Sequence, residues 1–331
     1  MSLVTTQAGG PGATGLPAER ERRDLIEKAR RYGIWFALAL LLAYGFIRVP
    51  HFATGANLGD ILAAVPVLGI VAVGQTYVIA AGGIDLSVGQ LASLVSVLSI
   101  GMATSNAQLL WVVPMALLIG LISGAFSGAV IILARTNPVI VTFAMLSILQ
   151  GLTYLYSQVS IGATPSYLSW LDRERVAGVV PVSAVLFGVV ALAAWFAFTR
   201  MRFGVYLRAV GGNESSALRS GLPVARIKLL AYALSGLTAA VAGLLLGARL
   251  GTGYPGAGSG LELSAIVAVI LGGTRFGGGQ GTVLGTVAGV LLLATLSNAL
   301  NLSEVDAQVQ HIINGAVVAV AVSVYSVRRL R

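Results

Sequence analysis

The sequence predicts an all-α integral membrane protein: about ten transmembrane helices with broken or re-entrant glycine-rich segments. Three observations carry this expectation. Of 331 residues, 56% are hydrophobic and only 10% charged, with a mean hydropathy of +0.89. An average soluble domain carries about 25% charged residues, so this chain has too few to cover a water-facing surface. The apolar residues also come in long runs that are apolar all round, where a soluble helix would show a polar face. Finally, the 42 glycines exceed what lipid-facing filler requires.

Residues 1–16 are rich in Gly, Ala, Thr and Pro without periodicity and read as disordered. Residues 19–31 mix acids and bases and read as a short helix at the membrane surface, so 1–31 forms an N-terminal tail. About 30 polar residues precede the first apolar run, which is therefore expected to stay as a membrane helix and not to be cleaved as a signal. A spanning helix needs roughly 20 apolar residues. The candidates in a membrane domain of residues 32–327 are 33–49, 58–80, 86–103, 109–134, 139–157, 179–199, 227–250, 261–271, 282–300 and 309–327. The eighth is too short to span unaided and must be extended or broken.

Charge orients this arrangement. With the N-terminus inside, the cytoplasmic segments hold 17 basic residues, including six before Tyr32, six in the segment 200–226 with its flank at Lys228, and three in the C-terminus 328–331. The outer segments hold only Arg48, Arg173, Arg175 and Arg249. A bias of this sign places both termini in the cytoplasm.

Composition also excludes functions. The net charge of +9 comes from loops flanking apolar runs, without the interleaved aromatics of a nucleic-acid groove. Zero cysteines removes disulfides and thiolate chemistry. His51 and His311 stand far apart with no carboxylate pattern around them, so each reads as an interfacial side chain; no metal and no cofactor is expected. No nucleophile elbow, HExxH or phosphate-cradling glycine loop is present, so the chain is not expected to be an enzyme.

Two segments resemble each other at an offset of 190 residues, Gly82–Gln90 (GGIDLSVGQ) and Gly272–Gln280 (GGTRFGGGQ). They hint at an internal duplication, and glycine-interrupted helices at corresponding places in two halves point to a transport pathway. Asp85 is embedded between two apolar runs. It reads either as a helix cap, with Ser87, or as a residue facing a cavity. Gln75, Asp85, Ser87 and Gln90 are the candidates for lining or gating a pathway. Arg275, at the matching level, is a candidate partner for acids or for a soluble subunit. Glycines spaced by four, at 120, 124 and 128 and at 277, 281, 285 and 289, predict smooth stripes for close helix packing.

The charged stretch Gly211–Gly221 (GGNESSALRSG) is the other informative feature. A short cytoplasmic helix between Gly212 and Gly221, exposing Glu214 and Arg219, suits docking into a groove on a soluble partner.

GGIDLSVG, NPVIVTFAMLSILQGLTYL, GGNESSALRSGLPVARIKLLAYALSGLTAAVAG and ILGGTRFGGGQGTVLGT together resemble the permease subunit of bacterial ribose-type ATP-binding-cassette sugar importers. The likeness runs from about Leu58 to the C-terminus. It implies a homodimer of roughly ten-helix permeases in the inner membrane, cytoplasmic ATPase domains, and a periplasmic sugar-binding protein meeting Gln158–Val176 and Gly251–Glu262. It also implies that Asn213, Glu214, Ala217 and Gly221 belong to the segment that couples to the ATPase. GGTRFGGGQGT departs slightly from the family pattern before its glycine run. A branched-chain amino acid permease is the neighbouring alternative, and an ion-coupled carrier the rival from another class. Such a carrier generally needs several intramembrane ionisable groups, and this chain offers essentially Asp85.

Overall fold

In the computed structural model, which describes residues 17–306, 308–310, 312, 313, 315 and 316, the apolar runs are helices. The first lies in the second part of α1 (Pro17–Arg48). α2 (Gly55–Ala80) starts where the Thr54 hydroxyl accepts from the Asn57 N–H. It is buried along most of its length against α7 (Val182–Arg200), α10 (Val224–Leu250), α11 (Leu261–Leu271) and α12 (Val283–Leu302). α3 (Val88–Met102) lies between α10, α4 (Leu109–Ala134) and α5 (Pro138–Tyr156). Asn137 opens α5 by accepting the Val139 N–H, with Pro138 at the first helical position, where its missing N–H costs nothing.

Among the described residues, six helices are long and apolar enough to cross a membrane: α2, α4 with its preceding turn, α5, α7, α10 and α12. The expected segments up to 282–300 are all helical, but three are shorter: Gly33–Arg48, α3 and α11. At 1.5 Å per residue the 15 residues of α3 and the 11 of α11 reach about 22 and 16 Å, short of a core about 30 Å thick. Both are part-spans entered through non-helical chain. The expected tenth segment, 309–327, lies mostly outside the described residues, as do residues 1–16, His311 and 328–331.

α10 is the hub, and glycine makes it so. A methyl group on Gly120 would overlap the backbone of Gly236, one on Gly124 would overlap the Tyr232 carbonyl, and one on Gly236 would overlap the Gly120 carbonyl. α4 and α10 therefore touch backbone to backbone, as the first glycine stripe predicts. The second stripe is not one helix face. Gly277 and Gly281 lie in a loop, because Gly278 and Gly279 both take a left-handed φ of 80° that ends any helix there. Only Gly285 and Gly289 lie on α12, packed on the backbones of Gly272 and Ala268 at and beside α11.

The segment between α5 and α7 carries a short helix, α6 (Ser166–Arg173), and a two-residue antiparallel hairpin pairing Arg175 with Pro181 and Val176 with Val180. Between α7 and α10 lie α8 (Arg202–Gly212) and α9 (Glu214–Arg219).

Candidate translocation and coupling site

The polypeptide leaves α2 through Gly82, whose φ of 84° permits a tight reversal. The Gly83 N–H then donates to the Val78 carbonyl at 2.9 Å. α11 ends the same way: Gly273 takes φ 87° and the Thr274 N–H donates to the Val269 carbonyl at 3.2 Å. The structural equivalence is thus Gly82 with Gly273, one residue out of step with the sequence match. Beyond this shared turn the two segments diverge, since one leads into α3 and the other into α12.

Asp85 is fully buried and fully engaged. One carboxylate oxygen accepts the Ser87 N–H at 3.0 Å and the Ser87 hydroxyl at 2.6 Å; the other accepts the Ser235 hydroxyl of α10 at 2.8 Å. Gln75 donates its amide to the Asp85 backbone carbonyl at 3.2 Å. The neighbouring Ile84 carbonyl accepts from Tyr232 at 3.4 Å and from Thr142 at 3.3 Å. Residues 84–87 are therefore pinned by α2, α5 and α10, and Asp85 serves as the anchor at the entrance to α3. A charge here without those donors would be costly. Arg275, by contrast, is exposed and has no ion pair among the described residues. The two residues differ in burial: Asp85 is enclosed in the protein and Arg275 lies on its surface.

α3 runs parallel to α10: Gly243 packs on Ala92 and Val95, and Gly247 on Ile100. Its first turn thus lies near the middle of α10. There it meets the first turn of α11. The Gly258 N–H donates to the Ser93 hydroxyl at 2.8 Å, Gln90 donates to Ser259 at 3.2 Å, and the Glu262 carboxylate lies on the Gly89 backbone while accepting the Gly260 N–H at 3.2 Å. Two part-helices thus begin at one depth and leave toward opposite ends of the bundle. Non-helical backbone at membrane depth is tolerated only where protein or a water-filled cavity surrounds it; on the α3 side Gly83, Asp85 and Ser87 are buried in protein, whereas Ser259 and Gly260 on the α11 side are exposed. Ser235, Ser259 and Glu262 lie within or beside otherwise apolar runs, and their proximity to Asp85 or Gln90 has no signal in the linear sequence.

At the end of the bundle where α2 finishes and α10 starts lies α9. Asn213 caps it, accepting the Ser216 N–H at 2.9 Å, and Gly221 with φ 75° closes it. Glu214 is more than half exposed and paired with Lys228 of α10, while Arg219 donates to Ser216 at 3.1 Å. Ala217 is buried and seats the helix; the surface beside it is Leu218, 65% exposed. An exposed leucine on a polar helix is a feature that sequence pattern did not single out.

At the opposite end, Ile161 and Gly253 pair as an antiparallel bridge and the Thr164 N–H donates to the Gly251 carbonyl at 3.0 Å, so the two loops expected to meet a binding protein are neighbours. Arg175 pairs with Asp60 at 3.6 Å, and Arg249 donates to the Ala63 carbonyl at 3.1 Å. Half-burial pushes the Asp172 carboxyl up, against the pull of Arg249, Arg175 and Arg173.

The family model for the branched-chain amino acid transport system / permease component matches residues 57–322. The ribose import permease protein RbsC of Escherichia coli (strain K12) is 40% identical over 293 residues, covering 87% of this chain and 91% of that protein. RbsC of Bacillus subtilis (strain 168) is 36% identical over 310 residues, covering 93% and 96%. The D-allose transport system permease protein AlsC of Escherichia coli (strain K12) is 33% identical over 302 residues, covering 88% and 90%. No solved structure matches the chain significantly. With the family model spanning most of its length and these permeases matched nearly end to end, the chain is a multi-pass membrane protein that belongs to the permease-component family containing the ribose import permeases.

Proposed function

We propose that this chain is the membrane-spanning permease subunit of an ATP-binding-cassette sugar importer of the inner membrane. The observation that carries the reading is the near end-to-end likeness to ribose import permeases, joined to a capped helix, α9, presented at one end of the bundle. A monosaccharide arrives with a periplasmic binding protein at the 158–176 and 251–262 loops. A separate ATPase grips α9 through Glu214, Leu218 and Arg219, with Asn213, Ala217 and Gly221 holding the helix in shape. The relatives named for ribose, allose and arabinose favour a sugar over a branched-chain amino acid.

In this reading residues 32–327 make about ten crossings, 200–226 is the coupling segment, and 1–31 and 328–331 are cytoplasmic. Two copies form the pathway. Gln75, Asp85, Ser87 and Gln90 control it from inside each copy by fixing where α3 begins, and Arg275 lies on the ATPase side. The basic residues around α8 and α9 support that side being the cytoplasm.

The test is uptake by proteoliposomes holding the permease with its ATPase and binding protein. Glu214→Arg places like charge beside Lys228, and deletion of 213–221 removes α9. Both should abolish uptake and ATPase association while leaving membrane insertion intact. Sugar uptake by the permease alone, driven by an ion gradient, would sink the proposal.

A further inference from the structure

The end of α8, one residue before α9, is joined to both interrupted helices by a contact made of backbone alone. The Gly279 N–H donates to the Ala80 carbonyl at 3.0 Å, tying the 272–281 loop to the end of α2. A methyl on Gly211 would overlap that same carbonyl and the Gly279 amide. One on Gly278 would overlap Gly82 and the Gly211 carbonyl, and one on Gly279 would overlap Gly212. Three segments more than 60 residues apart in sequence thus meet with no side chain between them. A side chain at such a contact could change rotamer and absorb a shift; touching backbones cannot.

The surroundings stiffen this knot. Tyr77 of α2 stacks on Phe198 of α7 with centroids 6.1 Å apart and meets Phe203 of α8 edge-on at 5.6 Å. Arg208 of α8 lies 5.2 Å over the Phe198 ring. The Glu214–Lys228 pair fixes α9 to α10. Two of the three segments lead to a part-helix, Gly82 through Asp85 to α3 and Gly278 back to α11, and the third, Gly211–Gly212, leads to α9.

Taking α9 as the ATPase-docking helix, we propose that Gly211, Gly278 and Gly279 are positioning residues. They transmit its displacement to the α2–α3 and α11–α12 segments together, so that the facing first turns of α3 and α11 move in one step. If the glycines merely allowed dense packing, α9 would move relative to the 272–281 loop during the cycle.

Gly211→Ala is the direct probe, because Gly211 sits in a helix without a left-handed φ and loses nothing but clearance. In proteoliposomes with ATPase and binding protein, uptake should fall about tenfold while membrane level and bound ATPase stay within about twofold. Gly277→Ala, with open space around it and no left-handed φ, should transport normally. Normal uptake by Gly211→Ala, or loss of ATPase in step with uptake, would overturn the proposal. The chain has no cysteine, so a Ser215→Cys/Phe276→Cys variant can carry two spin labels and decides the matter even if Gly211→Ala fails to insert. Their separation should stay constant within about 2 Å with and without ATP, while a Ser215→Cys/Val159→Cys pair changes; a changing 215–276 separation refutes it. Retained ATPase binding in Glu214→Arg would instead refute the docking assignment, leaving the two failures distinct.

Discussion

α2 and α5 are both apolar enough to cross a membrane, yet most of the apolar stretch of α2 is buried inside the protein and most of that of α5 is not. Hydropathy alone does not separate them; their small and polar residues do. α2 sets Gly69 and Gly74 against Phe187 and Thr238, and sends Gln75 and Thr76 to Asp85 and Thr286. α5 presents Val139, Ile140, Phe143 and Leu155 outward, and Gly151 faces open space. Aversion to water brings both helices into the bilayer, but lipid is as apolar as leucine, so close packing and internal hydrogen bonds decide which one lies inside.

Substituting glycines tests this contrast most severely. Gly124→Val should force α4 from α10 and cost about 3 kcal/mol or more, read as loss of the monodisperse species in detergent. Gly151→Val on α5 should change stability by less than about 0.5 kcal/mol; equal damage at the two positions would erase the distinction. Next in size is Asp85→Ala, which strands the Ser87 N–H and the Ser235 hydroxyl. At about 1–3 kcal/mol for each orphaned group, melting temperature and yield should fall first and transport with them. Asp85→Asn should fall between the two proteins, since an amide has one acceptor oxygen. Transport lost at full stability would make Asp85 a pathway residue and not an anchor. Ser147→Ala, exposed on α5, is the matched control and should be silent in melting temperature.

The same division applies to the polar ends. Leu218→Asp should weaken ATPase association about tenfold or more, as expected for an apolar anchor, with no change in melting temperature. The smallest effect concerns Asp172. Its raised pKa means that, between the ordinary carboxylate value and its own, the folded protein holds a proton the unfolded chain has released. Stability therefore falls as pH rises through that window. Asp172→Asn should flatten this part of a melting-temperature profile; an unchanged slope would show that the three arginines offset the burial.

Much of this was legible in the linear chain. Helix after helix begins and ends within a few residues of its apolar run, because exclusion from water acts on every run separately. α9 was legible for a local reason: Asn213 and Gly221 carry their capping geometry within a few residues. The 82–90 and 272–280 likeness was misleading in register. It marks two helices closing with the same turn, after which one segment dives to Asp85 and the other exposes Arg275. The second glycine stripe failed because two left-handed glycines outweigh a spacing of four.

The sequence by itself determined what is local: which segments leave water and where the caps fall. Only the tertiary structure decided that α3 and α11 begin face to face, that Ser235 completes the shell of Asp85, and that Gly82, Gly211 and Gly278 share one contact. Burial and capping are energies of a residue with its solvent or its neighbours in the chain. A glycine contact or a buried hydrogen bond depends on what folds back onto it from elsewhere in the chain, as far as 210 residues away for Thr76 and Thr286, and one chain carries no record of that partner.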